Sequence, residues 1–200
     1  MKKLGKGWQY TVYDLGNGRV LKRYNTWIDS YLVMLHDAFI HHRLPVINFS
    51  YYYREGKRVA MESLKKISVS NIDKSMFGNP TICSNYDYEQ DVVEPLAQSF
   101  KNGTMSSGRL LIDKFALFNK KLIKNGMIEK NFNIADNFGL NNSGDIIMID
   151  IGEVCTDKNE IQEQLKRRVW SAPDVLKKIP INFQQYFIET MDKSFGIERL

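Results

Sequence analysis

The segment Asn137–Glu153, which reads NFGLNNSGDIIMIDIGE, restricts the possible folds of this chain more than any other stretch. Its pattern predicts two short strands joined by a turn, with asparagine, serine and glycine at the turn. The second strand is apolar and ends in Asp150, which is followed directly by Ile151 and Gly152. Two interpretations of this aspartate stay open: it caps a turn, or it holds a carboxylate where the strand opens into a cleft.

The length of 200 residues suits one domain of ordinary size or two small lobes. Hydrophobic residues make up 43% and charged residues 26% of the chain, which is typical of a globular protein and not of a disordered one. The longest apolar runs are far shorter than the roughly 20 residues that cross a bilayer, and the first residues lack the apolar block of a signal peptide. We therefore expect no membrane span and a protein that is made and kept inside a cell.

The two cysteines and the net charge say little about chemistry. Cys83 and Cys155 lie far apart without CxxC or paired-histidine spacing, so we expect free thiols and neither a zinc site nor a disulfide framework. The formal charge of +5 and the pI near 9.1 indicate an anionic partner, such as a nucleotide, a nucleic acid, a lipid headgroup or an acidic protein. The basic residues are scattered along the chain, which is also typical of an ordinary solvated surface.

The first third of the chain has the composition of a β-rich lobe with one helix. The strands WQYTVYDL and RVLKRY flank the turn Gly16–Gly18, which predicts a hairpin. Apolar residues at helical spacing predict a helix from about Thr26 to His42, ended by Pro45. The stretches VINFSYYY and RVAMESL flank REGK, in which Gly56 suits a turn, so we expect a second hairpin.

The remainder of the chain is more helical. Residues 68–107 are punctuated by proline, asparagine and glycine, and only YEQDVVEPLAQSF in this stretch indicates a short helix. A clear helix is predicted over about Gly108–Asn125, with Ser106 or Ser107 as its cap and Gly126 at its end. Its buried face is predicted to contain Leu111, Phe115, Phe118 and Leu122. The tail after the hairpin predicts about three short helices, so the fold class expected is α+β.

A glycine pair and a lysine form the first candidate site. Gly5 and Gly7 precede a predicted strand, and Lys22 lies on the next strand. Glycines let backbone N–H groups approach a phosphate, and a strand-held ammonium can neutralise its charge. Taken alone, a pair of glycines near a terminus more often forms an ordinary turn.

With its spacing included, LGKGWQYTVY followed by VLK resembles the glycine-rich loop and third strand of protein kinases. The resemblance makes Gly5 and Gly7 the first two glycines, Val12 the valine that covers adenine, and Lys22 the strand lysine. Tyr10 replaces the third glycine, which puts a bulky ring where we expect phosphate.

The opening segment carries a second part of the same resemblance. MIDIGE is similar to the Asp-Phe-Gly segment of kinase-like folds, with Asp150 as its aspartate and Gly152 as its glycine. Asn137 stands where the family has its second metal ligand. The resemblance implies that Asp150 and Asn137 hold Mg²⁺ against the phosphates of ATP, because this ion prefers hard oxygen ligands.

The resemblance also implies a bilobal protein-kinase-like fold with a β-rich N-lobe and a reduced helical C-lobe. The N-lobe is expected over residues 1–64 and the C-lobe over residues 65–200, with ATP between them. VAMESL is similar to the fifth strand and hinge of the family. Met61, Glu62 and Leu64 are therefore expected to present backbone groups to the adenine edge.

The sequence departs from the family at two places that matter for catalysis. The position five residues before Asn137, where the family has its catalytic aspartate, is Phe132. Glu129 is the candidate base if the loop takes another path, and Asp136 is a candidate second metal ligand; both acids also suit a solvated loop. The helical glutamate that pairs with the strand lysine is absent between Lys22 and Tyr53, and Asp37 is its candidate substitute.

Three functions follow as hypotheses. The first is an ATP- and Mg²⁺-dependent phosphotransferase that acts on a protein hydroxyl, since the length is similar to that of small effector kinases secreted by enteric pathogens and of other minimal bacterial kinase-like proteins. Such a protein is cytoplasmic, or is delivered into a host cell. The second is a pseudokinase that serves as a protein-binding module. The third is a nucleic-acid binder that uses the basic surface, whose affinity falls steeply with salt.

Overall fold

A computed structural model describes residues 1–40 and 47–196 of the chain. The described residues form an α+β protein, which confirms the predicted fold class. Across both described stretches, no helix combines the length with the apolar character that crossing a bilayer requires. The two cysteines are free thiols, as predicted.

The chain divides into two units, each with its own internal contacts. Unit 1 consists of Met1–Lys74 and Asn79–Val92, and unit 2 of Ser75–Gly78 and Val93–Leu200. The predicted boundary after Leu64 falls inside the helix Phe49–Val69. The two units divide at later positions in the chain.

Unit 1 contains one antiparallel sheet and two helices. Its elements in chain order are β1 (Lys2–Lys6), β2 (Tyr10–Asp14), β3 (Arg19–Tyr24), α1 (Trp27–Ile40), α2 (Phe49–Val69), β4 (Thr81–Ile82) and β5 (Tyr88–Asp91). The strand order in the sheet is β1-β2-β3-β5-β4. The antiparallel pairing of β2 with β3 confirms the predicted first hairpin. Gly16 and Gly18 in its turn adopt φ angles of 79° and 78°, which favour glycine.

The predicted helix near residue 26 is α1, although its predicted end at His42 and Pro45 lies outside the described residues. The start of α1 packs against the start of α2 through aromatic rings. Trp27 stacks on Tyr31 at a centroid distance of 5.1 Å, and Phe49 meets the edge of Trp27 at 5.4 Å. These contacts join the two helices of unit 1.

The predicted second hairpin is wrong, because Phe49–Val69 is the single helix α2. The part of that prediction before Ile47 lies outside the described residues. Ala60, Leu64 and Ile67 recur at helical spacing and are all buried, so packing of one helix face overrides the strand preference of the tyrosines and valine nearby.

Gly56 has a different role from the predicted turn. A Cβ atom at Gly56 would lie 2.8 Å from Cη2 of Trp8 and 3.3 Å from the hydroxyl of Tyr24. The glycine therefore lets the β1–β2 connection approach the middle of α2 closely. This close packing offsets the poor helix propensity of glycine.

Unit 2 contains helices and three short strand pairings. Its elements in chain order are β6 (Glu94–Pro95), α3 (Leu96–Asn102), α4 (Met105–Lys124), β7 (Ile128–Glu129), β8 (Phe138–Leu140), β9 (Ile146–Met148), β10 (Val154–Cys155), α5 (Lys158–Lys166), α6 (Pro173–Leu176) and α7 (Ile181–Ser194). The short helix indicated by YEQDVVEPLAQSF begins only at Leu96, since its first four residues form β5. The three helices of the tail are confirmed.

Helix α4 confirms its prediction closely. Its four predicted core residues are buried, and Gly126 ends it with a φ angle of 69°. The cap is Thr104 and not a serine: its side chain accepts a hydrogen bond from the backbone N–H of Ser107 at 3.2 Å. Phe115 of α4 meets the edge of Phe138 of β8 at 4.8 Å, which packs the helix against the predicted hairpin of β8 and β9.

An ion pair between the buried Asp192 and the partly exposed Arg168 holds α7 to the segment before α6. Arg168 donates from Nε to Asp192 at 3.0 Å and pairs with the same carboxylate through a second nitrogen. The indole N–H of Trp170 also donates to Asp192 at 3.0 Å. Trp170 is fully buried, so this network fixes one end of α7 in the core of unit 2.

Candidate active site

The end of β7 places an acid at the centre of the loop that precedes β8. Glu129 is fully buried and accepts three hydrogen bonds. Two come from the backbone N–H groups of Asn131 and Asn133, both at 3.1 Å, and the third comes from Nδ2 of Asn137 at 3.0 Å. The Glu129 carboxylate therefore holds the whole loop in one conformation.

The surroundings of Glu129 oppose its ionisation. Burial raises the pKa of its carboxyl to about 7, and the negative charge of Asp150 acts in the same direction. The three hydrogen bonds favour the charged form and lower the pKa, but burial dominates. Glu129 is thus no solvated loop acid, which was one of the predicted alternatives.

The structure brings together Asn137 and Asp150, the two residues that the sequence suggests as metal ligands. The carbonyl of Asn137 accepts hydrogen bonds from the backbone N–H groups of Ile149 at 2.7 Å and of Asp150 at 3.4 Å. Both side chains are partly exposed. Oδ1 of Asp150 accepts from the backbone N–H of Gly152 at 3.2 Å, so Asp150 also caps the short turn Ile151–Glu153.

Glu153 is an acid of this cluster that sequence reasoning missed. Its carboxylate accepts a hydrogen bond from the side-chain amide of Asn131, and it is partly exposed. Burial raises the pKa of Glu153, and the charges of Asp150 and Glu129 raise it further. The sequence signal for Glu153 was its position directly after the MIDIG segment. An acid at the end of a turn is, however, also typical of an ordinary solvent-exposed position.

The position predicted for a catalytic aspartate belongs to the core. Phe132 is fully buried and packs on Trp170 at a centroid distance of 6.0 Å. Its φ angle of 45° lies in the left-handed region, which is uncommon for an aromatic residue. Asp136 is exposed and accepts a hydrogen bond from Nδ2 of Asn133 at 3.1 Å.

The fit of a metal ion depends on the donors of this cluster. Among the residues that the structure describes, no group of three or more His, Cys, Asp or Glu side chains is arranged to hold a metal ion. Magnesium in nucleotide sites needs fewer protein ligands, because phosphates and water complete its shell. The side chains of Asp150 and Asn137 carry oxygen atoms, which are the ligands that Mg²⁺ prefers, and the backbones of the two residues are hydrogen bonded to each other. The residues present therefore fit Mg²⁺.

Unit 1 places Lys22 in the middle of its sheet. Lys22 of β3 is opposite Val12 of β2 and Tyr88 of β5, so these three side chains share one face. The ammonium is 5.6 Å from the ring centroid of Tyr88, and Lys22 is only 5% exposed. Val12 and Lys22, which the resemblance assigned to adenine and to phosphate, are therefore adjacent.

Gly5 lies in β1, and Gly7 lies in the connection that follows this strand. The backbone N–H of Gly7 donates to the carbonyl of Tyr10 at 2.8 Å, and Asn25 donates to the carbonyl of Gly7 at 2.7 Å. A Cβ at Gly5 would meet nothing within 4 Å, and one at Gly7 only the Tyr10 carbonyl at 3.8 Å. No crowding within unit 1 requires glycine at either position.

The ring of Tyr10 is part of an aromatic cluster. Tyr10 is 5% exposed and its ring meets those of Tyr24 and Tyr88 at centroid distances of 5.1 and 5.5 Å. The side chain thus belongs to the aromatic core of unit 1, because β2 turns it towards the buried face of the sheet.

The residues predicted to form a hinge lie on α2. Leu64 is buried, whereas Met61 and Glu62 are exposed, and Glu62 pairs with Arg58 at 2.6 Å. Backbone groups inside a helix are already hydrogen bonded, so these residues cannot present them to adenine. Asp37 is exposed on α1, where it lines a groove with Trp8 and Phe49.

Comparisons with known proteins assign no family. No protein-family profile matches the sequence, and no curated protein matches it. Among solved structures, the chain is similar to Rv3197 from Mycobacterium tuberculosis in its complex with erythromycin, with 16% identity and a TM-score of 0.47. The match covers 96% of this chain and 53% of that one, so the chain spans about half of its length. A likeness at this level carries no argument about function.

Proposed function

We propose that this chain is an ATP- and Mg²⁺-dependent phosphotransferase with a protein-kinase-like fold that acts on a protein hydroxyl. The observation that carries the proposal is the cluster of Glu129, Asn137 and Asp150, which are joined by hydrogen bonds although they are separated in sequence. A strand-held Lys22 earlier in the chain and a helix before the loop follow the order of elements in protein kinases.

The predicted hinge is replaced in this proposal. Since β5 is the fifth strand, the residues that follow it take the place of the hinge, and these are Val92 and Val93. The chain passes from unit 1 to unit 2 at this point. Backbone groups outside a helix or strand can meet the edge of a base, which those of α2 cannot. The N–H of Val92 already donates to the carbonyl of Gly18 at 2.9 Å, so the other backbone groups of this segment would contact the base.

The residues have distinct tasks in the proposed reaction. Lys22 neutralises phosphate charge, while Asn137 and Asp150 would hold the metal ion. Bound Mg²⁺ supplies charge neutralisation on the β- and γ-phosphates. Phosphoryl transfer asks little covalent chemistry of a protein, so orientation and electrostatics provide most of the rate enhancement.

The geometry favours a positioning role for Glu129 over the predicted role of base. Both of its carboxylate oxygens already accept hydrogen bonds, and the side chain has no exposed surface. Glu153 is the better proton acceptor, because it is partly exposed and its carboxylate accepts a hydrogen bond from the side-chain amide of Asn131.

Transfer of radiolabelled γ-phosphate to the protein itself or to an added protein tests the proposal. We expect Mg²⁺-dependent transfer that disappears in Asp150→Asn and Lys22→Ala. Retention of full activity by both variants contradicts the assigned site. The reaction is followed with the intact chain, and the fold of each variant is checked by its unfolding temperature.

A second function, a pseudokinase that binds a protein partner, is favoured by Phe132. The aromatic side chain fills the place of the family's catalytic acid and is part of the core of unit 2. Thermal unfolding with ATP and Mg²⁺ separates the two functions, since a ligand at a hundredfold excess over its Kd stabilises by roughly 2.7 kcal/mol. Absence of both a shift and turnover supports the binding module.

A further inference from the structure

Helix α1 buries small residues and exposes large apolar ones. Within Trp27–Ile40, all of which the structure describes, only Ser30 and Ala38 are buried. The side chains of Ile28, Leu32 and Phe39 are 65%, 55% and 81% exposed. An ordinary surface helix does the opposite, because its large apolar side chains face the core and its outer face is polar. Helix α1 therefore leaves apolar surface in water that a partner can cover.

The exposed apolar residues of α1 form one stripe along the helix. Ile28, Leu32, Leu35 and Phe39 follow one another at intervals of four, three and four residues, and we call this set the α1 stripe. Leu35 is half-buried and the other three are exposed. At about 100° per residue, the buried Ser30 lies nearly opposite the stripe. Intervals of four and three residues are the heptad spacing with which one helix packs against another.

The area of the α1 stripe reaches what a weak dimer requires. A large apolar side chain offers about 200 Å² when it is fully exposed. The three exposed residues of the stripe thus leave about 400 Å² accessible in each copy, and Ile40 on its flank adds about 100 Å². A second copy that covers this surface removes about 1,000 Å² in total from water, before any polar rim is counted. That total is the lower limit for a specific interface.

The ionisable residues of α1 favour a second copy of the chain over a membrane. The helix carries Asp29, His36 and Asp37 and neither lysine nor arginine. Helices that bind anionic membranes have lysine and arginine beside their apolar face, so α1 lacks that pattern. Asp29 and His36 are seven residues apart and flank the same side of the α1 stripe. Asp29 pairs with Lys6, yet its side chain stays 42% exposed.

We propose that the α1 stripe is the interface of a homodimer, in which α1 of one copy packs antiparallel against α1 of a second copy. Two-fold symmetry then pairs Leu32 with Leu35 and Ile28 with Phe39, each across the interface. Antiparallel packing also brings Asp29 of each copy beside His36 of the other, so acid and base face each other twice. The inference is independent of the proposed function, because none of these residues belongs to the phosphate or metal site.

Sedimentation equilibrium of the intact chain between about 1 and 200 µM tests the proposal. We expect a mass that rises towards twice the 23.3 kDa of the chain, with a Kd in the micromolar range. Leu32→Asp places a charge in the apolar seam of both copies and should weaken the dimer by about 100-fold or more. Leu117→Asp makes the same change on α4 at a side chain that is also 55% exposed, and it should leave the Kd unchanged.

Two further substitutions keep the test independent of a single variant. Phe39→Gln removes the most exposed ring of the stripe and should also weaken the dimer by about tenfold or more. The unfolding temperature of each variant checks that its fold is retained, which we expect because the replaced side chains are exposed.

The charges on the flank test the antiparallel arrangement. His36→Asp puts a like charge beside Asp29 of the second copy, whereas His36→Lys keeps a base at the same exposed position. We expect the Kd of the aspartate variant to exceed that of the lysine variant by about tenfold at low salt, and the ratio to shrink at about 1 M salt. Equal Kd values of the two variants would refute the antiparallel arrangement.

The remaining outcomes decide whether the α1 stripe is a dimer interface at all. A wild-type chain that stays monomeric at about 200 µM overturns the inference. A monomer that instead binds anionic lipid vesicles, and loses this binding in Leu32→Asp, overturns it as well and identifies a membrane-binding face. Equal weakening of the dimer by Leu32→Asp and Leu117→Asp would show that association does not use the stripe.

Discussion

The side-chain amide of Asn137 donates a hydrogen bond to Oε1 of Glu129 across 3.0 Å, and the same carboxylate binds two backbone amides of the loop between them. A fully buried acid thereby fixes the orientation of a residue that the sequence singled out as a metal ligand. The supporting group has no exposed surface, whereas the group it supports does. Proteins orient the residues that contact a ligand through buried hydrogen-bond partners of this kind.

Stability of the metal-free protein should depend on pH through Glu129. The folded protein keeps this carboxyl protonated up to a pKa of about 7, whereas the value in an unfolded chain is 4.5. The free energy of unfolding therefore decreases as the pH rises between these values and changes no further above them. The difference corresponds to roughly 3 kcal/mol, and Glu129→Gln should remove the contribution of this residue to the pH dependence.

Urea unfolding at pH 5 and pH 8 with EDTA present measures this dependence. The groups that face Glu129 are Asp150, Glu153 and three asparagines, and Glu153 adds a slope of the same sign because its pKa is also raised. Asp136→Asn changes an exposed acid of the same loop and serves as the control. An unchanged slope in Glu129→Gln would show that Glu129 is not the titrating group.

Asp150→Asn should remove the Mg²⁺-dependent part of ATP binding. The amide has one oxygen and no charge, so it is a poor ligand for a hard cation. We expect the additional thermal stabilisation by ATP with Mg²⁺, compared with ATP and EDTA, to disappear, while the ligand-free protein unfolds within a few degrees of the wild type. Asp145→Asn, an exposed acid of the β8–β9 turn, is the matched control. Equal Mg²⁺ dependence in both variants argues against the metal assignment.

Lys22 and Asp150 should act on the same nucleotide if the proposed function is correct. Groups that contact one ligand usually have coupled effects, with interaction energies of about 0.5–3 kcal/mol in a double-mutant cycle. We therefore expect the loss of Mg²⁺-ATP affinity in the double variant Lys22→Met, Asp150→Asn to differ from the sum of the two single losses. Strict additivity would indicate that the two residues serve different ligands or none.

Asp192→Asn should destabilise the protein by about 2–4 kcal/mol, because it leaves Arg168 without the buried partner that also accepts from Trp170. Chemical denaturation measures this loss. Asp174→Asn breaks an ion pair with Lys177 in which both side chains are more than half exposed, and it should change stability by less than about 0.5 kcal/mol. Similar effects of the two substitutions would contradict a central role for Asp192.

Gly56→Ala tests the close approach of Trp8 to α2. Helix propensity alone favours alanine by about 1 kcal/mol, but the new Cβ would lie 2.8 Å from the Trp8 ring. We expect overpacking to dominate and to lower the free energy of unfolding by about 1–3 kcal/mol. The added substitution Trp8→Leu should make the alanine less harmful. A stabilised Gly56→Ala variant would mean that the ring moves away easily.

Local patterns predicted the elements whose signals lie close together in the chain. The hairpin of β2 and β3 is encoded by alternating side chains and by turn glycines with positive φ angles. Helix α4 is encoded by apolar residues at helical spacing. The same local signals placed Asn137 and Asp150 at the ends of one hairpin, which the pairing of β8 and β9 brings together.

The misassigned elements are those that contacts with distant residues decide. Tyr51, Tyr52 and Tyr53 favour a strand by intrinsic propensity, yet α2 forms because one helical face of the segment is buried. Gly56 has the sequence signature of a turn, but its function is to admit the side chain of Trp8, which lies far away in the chain.

The sequence by itself determined the α+β class, the order of most elements and the residue types that we propose for phosphate and metal binding. Only the tertiary structure decided that Glu129 is a buried support and that Phe132 fills the core of unit 2. The reason is that periodicity and turn chemistry depend on neighbours in the chain, whereas burial and hydrogen-bond partners depend on residues that only folding brings close.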